Sequence, residues 1–226
     1  MLAEKTAFTS QEKTIQWDTM PYPPAALLTT TRLIIRPYHI KDAPRSASLA
    51  NDEAISASMT DRFPYPYTLE SAQTFINFVS SNAAANAPGP PIHHFCICLA
   101  DAPEVMIGGI GTDIQADVHR RGAEIGYWIG KEYWGKGYMS EAVDAFIGWL
   151  FGLKGGLTGV EGEDLVRLGA GIFGGNEASL GVLRKVGCRE EGRVRNAVWK
   201  RGELRDLVLM GITRKDWEEK VKKREG

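Results

Sequence analysis

A chain of 226 residues with a formal net charge of −1 is long enough to bury one substantial core, and it lacks the basic excess of a dedicated nucleic-acid binder. Its 43% hydrophobic and 24% charged residues are ordinary for a globular protein. No apolar run reaches the about 18 residues that a membrane-spanning helix needs.

Four His and three Cys make no obvious metal cage, so no metal is expected. Cys96, Cys98 and Cys188 are read as free thiols in a reducing compartment. Glu4, Lys5, Glu12 and Lys13 have no apolar stretch between them, which argues against a secretory signal. The compartment is read as cytoplasmic; a nuclear one also fits.

Residues 1–27 show no clean period, and Pro21, Pro23 and Pro24 oppose a helix, so this stretch reads as an extension. Trp17 and Tyr22 suggest that part of it packs down. The domain proper is expected over 28–217. Its first strand is Arg32 to Pro37, rich in strand formers. Helices follow over 41–51 and 68–82. The second starts at Thr68 and repeats Leu69, Ala72, Phe75, Ile76 and Val79 at helical spacing. Residues 83–91 read as a loop. Strands are expected over His93–Leu99, Val105–Ile114 and Ala123–Ile129, then a helix from Gly137 to Leu150.

The Gly-rich stretch 152–164 reads as a surface insertion. A strand over Leu165–Phe173 leads to a short helix capped by Asn176 and closed by Gly187. Strands over 188–198 and 204–213 turn at Arg201-Gly202. A charged helix, Lys215 to Arg224, ends the chain, with 218–226 set apart as a tail. This order predicts an α/β fold, a three-layer sandwich with a mixed sheet.

Chemistry concentrates where the strand Glu124-Ile125-Gly126-Tyr127-Trp128-Ile129 runs through Gly130 to Trp134-Gly135-Lys136-Gly137-Tyr138-Met139 and into a helix. Main-chain N–H groups at a helix start lack internal partners and favour a phosphate, and Lys136 adds a charge. A tight connection with no ligand fits the glycines equally well. Gly130 to Lys136 also spells G-x-x-x-x-G-K, but Gly137 then offers no hydroxyl for magnesium. Gly169 to Gly174 spells G-x-G-x-x-G, yet too little chain follows for a dinucleotide-binding unit, so the match reads as chance.

The string Trp134 to Met139 resembles the pyrophosphate loop of the GNAT N-acetyltransferases, in the branch that acetylates ribosomal proteins. Three further stretches are similar to that family, in its order. They are Thr31 to Pro37; Asn176-Glu177-Ala178-Ser179 with Leu183 to Cys188; and Gly202 to Asp206 before a final apolar strand. Trp134 stands where Gln or Arg is usual, Met139 where Gly or Ala is usual, and Cys188 where Phe is usual.

The resemblance implies the family's sandwich, with a mostly antiparallel mixed sheet flanked by helices, and acetyl-CoA as co-substrate. It implies main-chain pairing of Tyr127, Trp128 and Ile129 with the pantetheine arm. Amides from Gly135 to Met139 would hold the pyrophosphate, with Asn176 and Ser179 near the thioester. The acceptor would be an amine, a peptide N-terminus or a small molecule, with no nucleic acid or membrane involved. The oligomeric state stays open, a dimer included.

Glu124 is the candidate base, acting through water; a surface or salt-bridged carboxylate is the alternative. Ser179 is the candidate donor to the departing thiolate, with a plain helix-surface Ser as its alternative. A silent acyl-CoA-binding module is the competing reading of the whole chain. His93, His94, Asp206, Trp199 and Trp217 are read as structural.

Overall fold

The computed structural model describes residues 17–82, 93–157 and 160–226. Its strands, in chain order, are β1 (Leu28–Thr29), β2 (Leu33–Pro37), β3 (His94–Leu99), β4 (Ala102–Ile114), β5 (Gly122–Ile129), β6 (Arg167–Phe173), β7 (Arg189–Lys200) and β8 (Glu203–Thr213). The helices are α1 (Ala43–Ala50), α2 (Glu53–Ser56), α3 (Leu69–Asn82), α4 (Tyr138–Gly152), α5 (Glu177–Lys185) and α6 (Arg214–Glu225).

The strands form one sheet in the order β1-β2-β3-β4-β5-β6-β8-β7. Among the described residues every neighbouring pair is antiparallel except β5 and β6. A parallel neighbour needs a crossover, and α4 provides it. Two cores flank the sheet. One lies under α4 and α5 and is filled by Phe146, Ile147, Leu150, Leu168, Leu180, Leu183 and Val208. The other lies under α1 and α3 and holds Tyr38, Ala72, Ile76, Cys96, Cys98 and Met106. The alternation of β5 divides its side chains between them: Ile125 and Tyr127 join the first, and Trp128 packs on the second. The three-layer sandwich with a mixed, mostly antiparallel sheet is the expected architecture.

Several local details differ from the sequence reading. The helix expected over 41–51 is a 3-10 turn (Ile40–Asp42) joined to α1, with α2 as a separate turn of helix. Pro44 stands at the start of α1, where its missing N–H costs nothing. The two-residue β1 was not anticipated. The stretch 152–164 is not wholly superficial: Leu157 is buried, as is Leu165 just beyond it. The expected loop over 83–91 lies outside the described residues.

The boundaries are tied to the domain at both ends. Trp17 Nε1 donates to Asn77 Oδ1 at 3.1 Å and the Tyr22 hydroxyl to Asp42 at 3.1 Å. Asp42 in turn holds the fully buried Arg36 through two hydrogen bonds of 2.8 and 2.9 Å. At the other end α6 continues past residue 217, and its Lys220 and Arg224 both reach Asp144 on α4. The segment 218–226 is thus packed on the domain rather than set apart.

Candidate functional site

The site begins where the sheet divides. β5 and β6 pair only over Gly122–Glu124 and Arg167–Gly169. Beyond Glu124 they separate, and the remaining β5 edge faces a gap. The register of β4 and β5 decides which groups point into it. The Gly130 N–H donates to Ile107 O and the Gln115 N–H to Gly122 O. In an antiparallel pair such facing positions recur every two residues. Gly122, Glu124, Gly126, Trp128 and Gly130 therefore turn their main chain to β4. Ile125, Tyr127 and Ile129 turn theirs to the gap. Trp128, expected from the sequence to pair through its main chain, has those groups directed at β4, because strand polarity alternates. Its ring lies on the α1/α3 side, edge-on to Phe63 at 5.7 Å.

The gap leads to the start of α4. Gly135 and Gly137 have φ of +71° and +79°, a left-handed conformation that glycine adopts without strain. Gly137 occupies the N-cap and no side chain caps the helix there. The first N–H groups of a 15-residue helix are therefore left pointing outward, with the positive end of its dipole. This uncapped, glycine-turned start fits the diphosphate of a CoA thioester.

The flanking side chains hold the turn in shape. The exposed Trp134 folds back, its Nε1 donating to Ile129 O at 2.9 Å. Met139 buries its side chain, so only its main chain faces the turn. Lys136 is exposed, its ammonium 5.5 Å above the Tyr133 ring.

Arg32, placed by the sequence only in the first strand, is part of this turn. It donates to Lys136 O at 3.0 Å, lies over the Tyr138 ring at 4.6 Å, and pairs with Glu141 at 2.7 Å. Burial pushes the Glu141 carboxyl up, but hydrogen bonds from Thr30 and Arg32 overcome this and hold it below the usual range. No spacing rule connects residue 32 with residue 136; only the sheet brings them together.

On the α4/α5 side of the gap, Asn176 caps α5 by accepting from the Ser179 N–H at 3.1 Å. Tyr127 donates its hydroxyl to Ser179 O at 3.3 Å. Burial raises the Tyr127 phenol well above its ordinary range. At its far end α5 closes as a Schellman turn, with Cys188 N–H donating to Leu183 O and Gly187 N–H to Arg184 O.

Glu124 is exposed on the opposite face of the sheet, level with Gly169 across β6. Its side chain forms no hydrogen bond or salt bridge among the described residues, so the salt-bridged alternative does not describe it. The nearby cation Arg167 pairs with Glu191 instead. The two candidate catalytic residues thus lie on opposite faces of the sheet, Glu124 at the last position where β5 pairs with β6. Asp206 accepts from the Asn196 N–H in the β7–β8 hairpin, and Trp217 packs against α4 at Gly148.

The G-x-G-x-x-G match lies in β6 and the turn after it, and β6 pairs antiparallel with β8, so no dinucleotide-binding unit forms there. Among the described residues no group of three or more His, Cys, Asp or Glu could hold a metal ion. No described helix is long and apolar enough to cross a membrane.

Residues 32–189 match the model of the acetyltransferase (GNAT) domain family. The chain is 32% identical over 189 residues to YoaA of Bacillus subtilis, described as an uncharacterized N-acetyltransferase, covering 83% of this chain and 97% of that one. It is 24% identical over 200 residues to the ribosomal protein uS5-alanine N-acetyltransferase of Escherichia coli, covering 86% and 94%. Among solved structures it resembles RimJ of Mycobacterium smegmatis in complex with a CoA disulfide, with a TM-score of 0.64, 21% identity, and coverage of 81% and 83%. A divided sheet, an uncapped glycine-turned helix start and a family model spanning both lead to one assignment: the chain belongs to the GNAT family of acetyltransferases, with acetyl-CoA as co-substrate.

Proposed function

We propose that this chain transfers the acetyl group of acetyl-CoA to a primary amine, on a peptide N-terminus or a small molecule, by direct attack. The observation that carries this reading is the open β5 edge beyond Glu124, which runs into the uncapped start of α4. The main chains of Tyr127 and Ile129 pair with the pantetheine amides, with Trp128 walling the acceptor side. Amides from Gly135 to Met139 receive the pyrophosphate, Lys136 and Arg32 add positive charge, and Trp134 braces the turn. The acyltransferase unit runs from 28 through α6, whose Lys220 and Arg224 tie it to α4, with 1–27 as an extension.

The chemistry needs a neutral amine. An α-amino group, with a reference pKa of about 7.7–8.0, needs less help than a lysine at about 10.4. Glu124 takes the amine proton through water as the C–N bond forms. A strand N–H stabilises the charge that develops on the carbonyl oxygen. The C–S bond then breaks, and the Ser179 hydroxyl donates to the departing thiolate, beside Asn176. Holding both reactants in one gap supplies most of the advantage.

Gly137→Val tests the cofactor half. A β-branched residue at φ +79° forces the turn out of shape. Calorimetry should show acetyl-CoA binding weakened about tenfold or more in a protein that keeps its circular dichroism; unchanged affinity would remove the loop from the site. The acceptor is sought by following CoA release. An alanine-initiated peptide comes first, because the relative from Escherichia coli carries alanine in its name. A panel of small amines follows.

A further inference from the structure

The open face of the sheet beside Glu124 carries a row of charge that the acetyl transfer described so far does not use. Arg167 on β6 and Glu191 on β7 meet in a two-pronged guanidinium–carboxylate pair, spanning β8 between them. Two glycines clear the way for it. A Cβ at Gly211, on β8, would lie 2.5 Å from both Glu191 carboxylate oxygens. A Cβ at Gly169 would lie 3.8 Å from Arg167 Nη2 and 4.0 Å from Glu124 Cγ, so Arg167 and Glu124 flank the same empty point.

Arg167 thus stands beside the same point as Glu124; hydrogen bonds to Glu191 raise its guanidinium above the usual range, and attraction to Glu124 adds to this. Hydrogen bonds from Arg167 hold the Glu191 carboxyl below its usual range. On the other side of Glu124, β4 places Asp113 directly opposite, where it meets Arg62 at 3.4 Å and His94 at 3.8 Å. Arg62 is paired with Asp113, and His94 is held towards its neutral form by burial. Arg167 stands beside the same point as Glu124, and Glu191 is what occupies it.

We propose that Glu191 is a positioning residue: by holding Arg167 in a two-pronged pair it keeps that cation off Glu124 and leaves the Glu124 carboxylate free to accept a proton. The inference rests on Glu124 being the base. A carboxylate paired with a guanidinium is both a weaker base and a blocked one. The pair is half-exposed, so its worth to folding is small. Its placement matters for the charge beside the gap.

The test uses Glu191→Gln, Arg167→Gln with Glu191→Gln, and Glu124→Gln in the full chain. The first readout needs no acceptor. The Glu124 carboxyl carbon, assigned by its loss in Glu124→Gln, is titrated by NMR. In Glu191→Gln its midpoint should fall by about one pH unit and return in the double variant. The second readout is turnover of an alanine-initiated peptide. Glu191→Gln should lower kcat about tenfold with an unchanged KM for acetyl-CoA, and the double variant should recover to within about threefold of wild type. Gly211→Ala, which pushes the Glu191 carboxylate aside in place, should repeat the effect by a second route. An unmoved Glu124 midpoint in Glu191→Gln overturns the proposal, as does a double variant no faster than Glu191→Gln. A midpoint that moves while kcat stays unchanged in both Glu191→Gln and Glu124→Gln would instead overturn Glu124 as the base.

Discussion

At the scale of single residues, Glu124 is an exposed carboxylate with no hydrogen bond or salt bridge among the described residues. Glu141 and Asp144 are each held by cations, and both sit below the usual carboxylate range despite burial. Glu124 is level with Gly169, whose missing side chain leaves the space in front of it open. That combination is the ground on which Glu124 is proposed as a proton acceptor, with a plain surface carboxylate as the alternative. Glu124→Gln keeps the shape and removes the basicity. It should lower kcat by about 10²–10⁴ with little change in acetyl-CoA affinity, and part of the loss should return at higher pH, where more amine is already neutral. Steady-state kinetics from pH 6 to 9 with an identified acceptor checks this. Wild-type turnover across that range would make the carboxylate structural.

Among the elements, α4 carries the greatest load. Its apolar face packs into one of the two cores, its N-terminus meets the gap beside β5, and its middle anchors α6. Burial pushes the Asp144 carboxyl up, yet hydrogen bonds from Arg224 and Lys220 outweigh this and hold it below the usual range. A carboxyl depressed by folding adds stability above its unfolded value and loses it as pH falls through its folded value. Asp144→Asn should therefore cost about 1 kcal/mol at pH 7, allowing for the partial exposure of Arg224, which corresponds to a fall in Tm of about 2–4 °C. The gap between variant and wild type should begin to close as pH drops below about 4 and vanish only below the depressed folded value. Thermal melts in steps from pH 7 to about pH 2 measure both; a difference that persists at the lowest pH would mean that packing, and not charge, joins α6 to α4.

For the whole molecule, the division of the sheet is the decisive feature. One parallel pair, closed for three residues and then open, leaves a cleft along the β5 edge. A ligand that fills this cleft binds the native state alone and raises its melting temperature by mass action, by about 2.7 kcal/mol at a hundredfold excess over Kd. Acetyl-CoA should do this and Mg-ATP should not, because the stretch Gly130 to Lys136 is followed by Gly137 and offers no hydroxyl to magnesium. Differential scanning fluorimetry with each ligand decides it. Stabilisation by Mg-ATP alone would reassign the loop.

What the sequence by itself determined is local. The periodicity of α3 and α4, the Asn176 cap, the Gly187 closure and the glycine turn at Trp134 to Met139 are set by neighbours within a few residues, where hydrogen-bond geometry and hydrophobic spacing act directly. The tertiary structure alone decided how distant segments share a site. Arg32 reaches Lys136 across 104 residues, and Arg167 is claimed by Glu191 rather than by Glu124. The direction of each β5 main-chain group followed from its register against β4, which also took Trp128 out of the pairing edge. The buried Leu157 and the packed α6 likewise depend on surfaces formed elsewhere in the chain. The physical reason is common to all of these: strand register and long-range charge pairing are fixed by the packing of whole layers, and no window of consecutive residues contains that information.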